Sequence, residues 1–541
     1  MNASLAGQLD HLFKDWDNAE SPGCALAIYQ DGETVYERGY GMAHLEHQAR
    51  ITPATVFHIA SLSKQFTAMA MALLARSGRI SLEDDLREYV PEMRVGVPIT
   101  FRQIIHHISG LRDQWDMLRL AGWRENDVKM NADVLRLATA QQEMNFAPGT
   151  RFQYVNTGYT LMGIVIKRVT GQSLRQYADE QIFKPLGMQS TFFQDNYREI
   201  IQHRAQAYSR RDGRLQIDVP NYETVGPTGL FSTVEDFARW ERNFLKPTVG
   251  DDDFIGQLMT PGVLADGQPI SYGFGLLVGK YRGLDTVEHA GGDAGYRAYY
   301  LRIPSQRWAV AIFANFSEVE PGPLAHQVAD LCLAGRFKED AADDHQEVRV
   351  WAGRAAGVQT PLALDLGGKA GRYRDDYSGM TCEIETRGGR IFLVAGTGGE
   401  YELLSVAENH LGFLNRDAEC LFTPATGDQP VHMTVKYAGQ VTAECDRLGD
   451  NQPPPEWRAE TYVGTYESAE LDVRYMIEGK GSEMVLQRAK FAPSPLSVIS
   501  EDEFAASDEG LHLRFERGTD GRVTGMILSA ERVWNVRFAR L

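Results

Sequence analysis

Ser61 and Lys64 stand three residues apart in Ser61-Leu62-Ser63-Lys64, the one Ser-x-x-Lys of the chain. A serine hydroxyl holds its proton too tightly at neutral pH to attack a carbonyl well, so it needs a partner that takes the proton. Positions three apart on a helix share a face, which lets the lysine amine reach the hydroxyl. Two fixed positions arise often by chance, and a capping serine followed by a solvated lysine gives the same pattern. Lys64, however, lies in the apolar run LSKQFTAMAMALLARS at 62–77, where an unpaired lysine would be costly. That run predicts a buried helix that stops at Gly78. A serine at its N-terminus is favourably placed for developing negative charge.

Tyr154-Val155-Asn156 is the one Tyr-x-Asn, after the turn Ala147-Pro148-Gly149-Thr150 and before a helix expected over 157–169. A tyrosine beside an ammonium can be driven toward phenolate and serve as a base. Asn156 could position both the lysine and a substrate amide. Alone, the pair reads as a core tyrosine and a helix cap. His289-Ala290-Gly291-Gly292 precedes a strand expected over 296–302. Glycines there let a substrate backbone lie close, and His289 can supply a proton or an electrostatic contact. His410-Leu411-Gly412 has the same spacing but falls in the β-rich tail, and His106-His107 read as structural. No HExxH, Walker loop or GxSxG is present, which weakens metallohydrolase, NTPase and α/β-hydrolase readings. No metal or other cofactor is expected.

The elements that must hold these residues alternate. A helical pattern at 5–17 is followed by CALAIYQ and TVYERGYG, two strands around Asp31-Gly32. Helices are expected near 100–107, 157–169, 233–245 and 322–334, and strands at 296–302 and 307–315 around Pro304-Ser305. Strands at both ends with helices between predict an α+β domain over 1–340, its antiparallel sheet built from both termini. An acidic stretch at 338–350 and DNQPPPE at 450–456 read as linkers. The segments 350–450 and 456–541 open on Gly371-Arg372-Tyr373 and Gly464-Thr465-Tyr466 and continue as short alternating strands. They read as two small all-β barrels, with one larger β domain as the alternative.

A chain of 541 residues exceeds what one core of roughly 250–300 residues accommodates. Its 43% hydrophobic content supports real cores. A net charge of -18 argues against nucleic acid or an anionic membrane as partner. Five dispersed cysteines without a CxxC argue against a disulfide framework or a zinc site. The first twenty residues lack a signal-type apolar core, and no stretch of about 18 apolar residues occurs. A cytoplasmic chain is the expectation. The partner expected is a small-molecule or short-peptide substrate, and a homodimer is compatible with the composition.

Taken in order, SLSK, YVN and HAGG resemble the three motifs of penicillin-recognising serine hydrolases: class C β-lactamases, DD-peptidases, related esterases and D-aminopeptidases. ITFRQIIHHISGL, FAPGTRFQYVNTGYTLMG, GPTGLFSTVEDFARW and YGFGL extend the likeness over nearly all of 5–335. The resemblance implies that Ser61 forms an acyl-enzyme, that Lys64 eases its deprotonation, and that Tyr154 is the general base and later activates water. It implies that Asn156 orients substrate and Lys64, and that His289 replaces the lysine of a Lys-Thr-Gly motif. The N–H groups of Ser61 and Gly292, beside Gly291, would form the oxyanion hole, where each donor is worth about 3–4 kcal/mol.

The histidine and the two β modules resemble D-aminopeptidases in particular, and SGLRDQWDMLRLAG adds to that likeness. In that family a loop of the last barrel enters the active site to select small free D-residues. Here 486–500 is short for such a loop and offers no acid for a substrate ammonium, and Leu277 stands where an asparagine is expected. The function implied is hydrolysis of small D-amino acid amides or short D-peptides. A carboxylesterase of the same fold is the first alternative. A DD-carboxypeptidase or β-lactamase, and a ligand-binding sensor, follow it.

Overall fold

The computed structural model describes residues 3–338, 366 and, with short interruptions, 368–449 and 457–541. Both expected linkers, 338–350 apart from Lys338 and 450–456, lie outside the described residues.

Helix α1 (Ala3–Leu12) leads into strands β1 (Cys24–Gln30) and β2 (Glu33–Tyr40). Asp31 and Gly32 join these strands with φ of 55° and 80°, the pair of positive values that a tight hairpin turn requires. Along β1, Ala25, Ala27 and Tyr29 face one core, and Cys24, Leu26 and Ile28 face another. This is the period of two of a strand buried on both faces. Four later strands complete the sheet: β3 (Leu277–Tyr281), β4 (Leu284–Asp293), β5 (Tyr296–Ile303) and β6 (Trp308–Ala314). The order is β3-β4-β5-β6-β1-β2, antiparallel throughout, so both ends of the domain meet at the β1–β6 pair.

Helix α2 (Ser63–Arg76) follows one 3-10 turn at Ala60–Leu62 and ends at Ser77, with Gly78 at φ 74°. Helices α4 (Thr157–Thr170) and α5 (Val234–Leu245) occupy the same side of the sheet as α2, and the shorter α3 (Gln114–Leu120) precedes them in the chain. Phe66, Met69 and Leu74 of α2 belong to that core together with Leu161 and Val165 of α4 and Phe237 and Trp240 of α5. Helix α6 (Pro321–Cys332) packs with α1 on the opposite face, over Leu26, Ile28 and Ile312. Burying one such leucine or isoleucine contributes about 1.5–3 kcal/mol.

Beyond this domain, eight strands from Gly371–Asp375 to Gln440–Arg447 form a closed antiparallel barrel, its first strand pairing with its last. A further nine strands between Gly464 and Arg540 form a sheet whose two edges, Ser494–Pro495 and Ser497–Ser500, are consecutive in the chain. It is therefore a barrel left open only there. The two β units repeat a detail. Tyr373 OH donates to Lys369 O at 2.7 Å, and Tyr466 OH donates to Tyr462 O at 2.6 Å. Gly371 and Gly464 lie against the guanidinium groups of Arg447 and Arg540, where a Cβ would meet Nε at 3.0 Å in both cases.

The second β unit is not an appendage. Met117, Leu118 and Leu120 of α3 share one apolar core with Tyr466, Leu486 and Phe538. Tyr475 OH donates to Leu120 O at 2.6 Å, and the buried Arg112 pairs with Glu470. Among the described residues no helix is long and apolar enough to cross a membrane.

Candidate active site

Ser61 sits in the 3-10 turn ahead of α2, preceded by Ala60 at φ 48°. A left-handed alanine costs about 1 kcal/mol or more, and here it turns the chain sharply into the helix. Ser61 is only partly covered, whereas Leu62, Ser63 and Lys64 are fully buried. Strand β4 passes directly against this turn. A Cβ on Gly291 would stand 2.4 Å from Ile59 O and 3.2 Å from Ala60 Cβ, so only glycine allows the approach. His289, Gly291 and Gly292 are thus inside a strand, paired with Tyr300, Ala298 and Arg297, rather than in a loop before one. The glycines hid this strand from its sequence pattern.

Lys64 Nζ stands 3.1 Å from Ser61 Oγ and donates to Asn156 Oδ1 and Pro227 O, both at 2.9 Å. Burial holds its pKa well below the usual lysine value. The charge of Asp113 opposes that shift, and the charge of Arg532 adds to it. A neutral amine keeps two N–H groups on Asn156 and Pro227 and turns its lone pair toward Ser61 Oγ–H. Asn156 caps the start of α4 and is oriented by Asp113, whose Oδ2 accepts Asn156 N–H at 2.8 Å and Nδ2–H at 2.9 Å. Both polar ends of the Asn156 side chain are therefore engaged within the protein.

The Tyr154 ring lies under Lys64, with Nζ 4.5 Å from its centroid, and packs tilted against His107 with centroids 4.3 Å apart. His107 Nδ1 accepts Val155 N–H at 3.1 Å, and burial pushes its pKa well down. It is a neutral wall of the site. His289 Nδ1 is 2.6 Å from Ala290 O, a pure acceptor, so Nδ1 carries the hydrogen. Nε2 is then bare and accepts the Tyr272 hydroxyl at 2.9 Å. Burial, with the Lys64 charge second, lowers the His289 pKa to about 3, so the imidazole stays neutral above that range.

Three of these participants had no assigned role in the sequence: Asp113, Tyr272 and Arg532. Arg532 comes from the turn before the last strand of the second β unit. Its Nη1 lies 3.4 Å from Asp113 Oδ2, its N–H donates to Asp116 Oδ2 at 3.0 Å, and its carbonyl accepts Asp113 N–H at 3.1 Å. Asn145 clamps the same turn, receiving Trp534 N–H at 2.9 Å and donating to Arg532 O at 3.0 Å. Residues 486–500 do not supply this contact. No spacing rule links Arg532 to Asp113, so only the tertiary structure reveals it.

The Beta-lactamase family model matches residues 9–333 of the chain. A D-aminopeptidase from Gluconobacter oxydans is 29% identical over 294 residues, which are 54% of this chain and 56% of that protein. A D-aminopeptidase from Brucella canis is 24% identical over 548 residues, 97% of this chain and 96% of that protein. The chain thus spans about half the length of the first relative and nearly all of the second. Among solved structures, the octameric penicillin-binding protein homologue from Pyrococcus abyssi aligns with a TM-score of 0.58 at 24% identity, over 81% of this chain and 99% of that chain. A crystal structure of SurE aligns at 0.54 and 20% identity, over 82% and 98%. These two likenesses concern the fold.

Proposed function

The chain belongs to the beta-lactamase family, and from that premise we propose that it is a serine hydrolase that cleaves small D-amino acid amides or short D-peptides through an acyl-enzyme on Ser61. The observation that carries this reading is the coordination of Lys64. Two fixed acceptors and a depressed pKa leave its third position for the Ser61 hydroxyl.

In the proposed mechanism the Ser61 proton passes to the Lys64–Tyr154 pair as Oγ attacks the carbonyl carbon. The negative charge gathered on the carbonyl oxygen is met by the N–H groups of Ser61 and Gly292, which belong to a turn and a strand that pack closely at Ile59 and Gly291. The pair returns its proton to the leaving amine, and the amide bond breaks. Water then attacks the acyl-enzyme, with Tyr154 taking its proton and Ser61 recovering one. Tyr154 is the general base of this step, with Lys64 Nζ 4.5 Å from the centroid of its ring. His289 is a positioning residue that accepts the Tyr272 hydroxyl beside Tyr154. The preference for D-residues is carried over from the names of the curated relatives.

Release of p-nitroaniline from D- and L-alanine p-nitroanilide, with Ser61→Ala as control, tests the reading. D-selective release that disappears in the variant is expected. Release that survives in Ser61→Ala overturns the mechanism. Turnover of p-nitrophenyl esters alone, still dependent on Ser61, makes the protein a carboxylesterase instead.

A further inference from the structure

The sequence offers no acid in 486–500 for a substrate ammonium, and the structure offers one elsewhere. Asp293 ends β4, two residues beyond Gly291 and on the same face of the strand. Its Oδ2 accepts the hydroxyls of Tyr222 and Thr228, the latter at 2.9 Å. Those donors tie it to the centre. Thr228 follows Pro227, whose carbonyl holds Lys64, and Tyr222 OH is 3.5 Å from Nε2 of His58, three residues before Ser61. Among the described residues nothing donates to Asp293 Oδ1.

The other two carboxylates of the site are already matched to cations. Asp113 pairs with Arg532, and Asp116 lies 3.6 Å from Arg119 and accepts the Arg532 N–H. Asp293 has no such partner among the described residues, although Lys64, Lys129 and Arg297 are near enough to feel its charge, the first held by Asn156 and Pro227. Lys129 spends its ammonium on Glu125 O at 2.8 Å and Asp127 O at 3.2 Å. Arg297 directs Nη1 to Ala294 O at 2.7 Å and Tyr296 O at 2.8 Å. One oxygen of this half-buried carboxylate is held by neutral hydroxyls, which leaves the other for an arriving cation. Beside it the rings of Tyr222 and Trp115 lie 5.3 Å apart, and aromatic faces favour a cation.

We propose that Asp293 anchors the free α-ammonium of the residue whose carbonyl Ser61 attacks, and so makes the enzyme select an unblocked amino terminus. This rests on the hydrolase reading above for its substrate, but it is a statement about binding and is tested without turnover. Full-length Ser61→Ala protein is titrated calorimetrically at pH 6.5 with D-alaninamide and with N-acetyl-D-alaninamide. The free amine is expected to bind about tenfold tighter or more. In Ser61→Ala carrying Asp293→Asn that preference disappears, and with Asp293→Glu part of it persists. Asp293→Ser, small enough for any packing, replaces the asparagine variant if circular dichroism shows the latter unfolded. Equal affinities in Ser61→Ala protein, or a preference that outlasts loss of the carboxylate, overturn the proposal. Absence of Ser61-dependent hydrolysis in the unaltered protein would instead overturn the reading on which it rests, and the two failures are separately visible.

Discussion

Arg532 Nη1 lies 3.4 Å from Asp113 Oδ2, across 419 positions of chain and across a domain boundary. Asp113 in turn fixes Asn156, and Asn156 fixes Lys64, so the last β unit reaches Lys64 through two side chains. Burial disfavours the Arg532 charge, yet Asp113 and Asp116 outweigh that and hold its pKa above the ordinary arginine value. The guanidinium is a permanent positive charge that helps hold the Lys64 pKa down.

Replacing Arg532 with glutamine therefore raises the Lys64 pKa. It removes a repelling cation and leaves the attracting Asp113 uncompensated. Because the proposed acylation needs neutral Lys64, the acidic limb of the kcat/KM profile is expected to move upward by about one pH unit. A pH series on Arg532→Gln and the parent checks this, and an unmoved limb would mean that the guanidinium only docks the domain.

Tyr154→Phe keeps the ring that packs against His107 and removes only the oxygen. The fold is expected to persist, with kcat down by roughly 10²–10⁴, the usual consequence of losing a general base. Stopped-flow measurement with an activated ester separates the steps. If deacylation depends on Tyr154, a burst of one equivalent of leaving group precedes slow turnover. Uniform slowing without a burst would place Tyr154 in acylation.

How much of this was readable beforehand depends on range. The helix over 62–77 was legible because its apolar positions and Gly78 act within a few residues, and β1 and β2 were legible through their alternation around Asp31-Gly32. The α+β sheet and the two β units followed from element order. Ser61 and Lys64 stand out by type and spacing, Tyr154, Asn156 and His289 through the resemblance of the three motifs taken in order, and the fold brings all five together. The strand at 284–293 was not legible, since Gly291 and Gly292 erase its apolar pattern while being the reason it can touch the nucleophile's turn. Nor was the entry of Arg532, because an ion pair between distant segments leaves no local mark in a sequence.

Lys64 has a stability signature as well as its proposed catalytic one. Its folded pKa is depressed below the unfolded value of about 10.5, so between those two values the unfolded chain binds the extra proton. Stability contributed at this site therefore rises with pH through that window. Lys64→Met lacks the proton site in both states. The difference in unfolding free energy between parent and Lys64→Met is expected to shift toward the parent as pH goes from 7 to 10. Denaturant titrations at several pH values measure it, and a pH-independent difference would mean that Lys64 is charged in the folded protein.

Gly291→Ala tests the packing of β4 on the 3-10 turn. The new Cβ would stand 2.4 Å from Ile59 O, a backbone atom that cannot swing aside, so strand and turn must separate by about 1 Å to reach ordinary contact. The strand is held by Tyr300 and Ala298 of β5, and the turn by α2, so neither core is breached and the protein is expected to fold. The separation falls between the two N–H groups proposed to receive the carbonyl oxygen. A misplacement of that size costs on the order of 10²-fold in rate. The expected result is kcat reduced by about that factor, with the acidic limb of the pH profile unchanged because Lys64, Asn156 and Asp113 are untouched. Activity near the parent's would show that the strand yields elsewhere and that the oxyanion contact does not depend on this approach, while a shifted limb would show that the turn drags Lys64 with it.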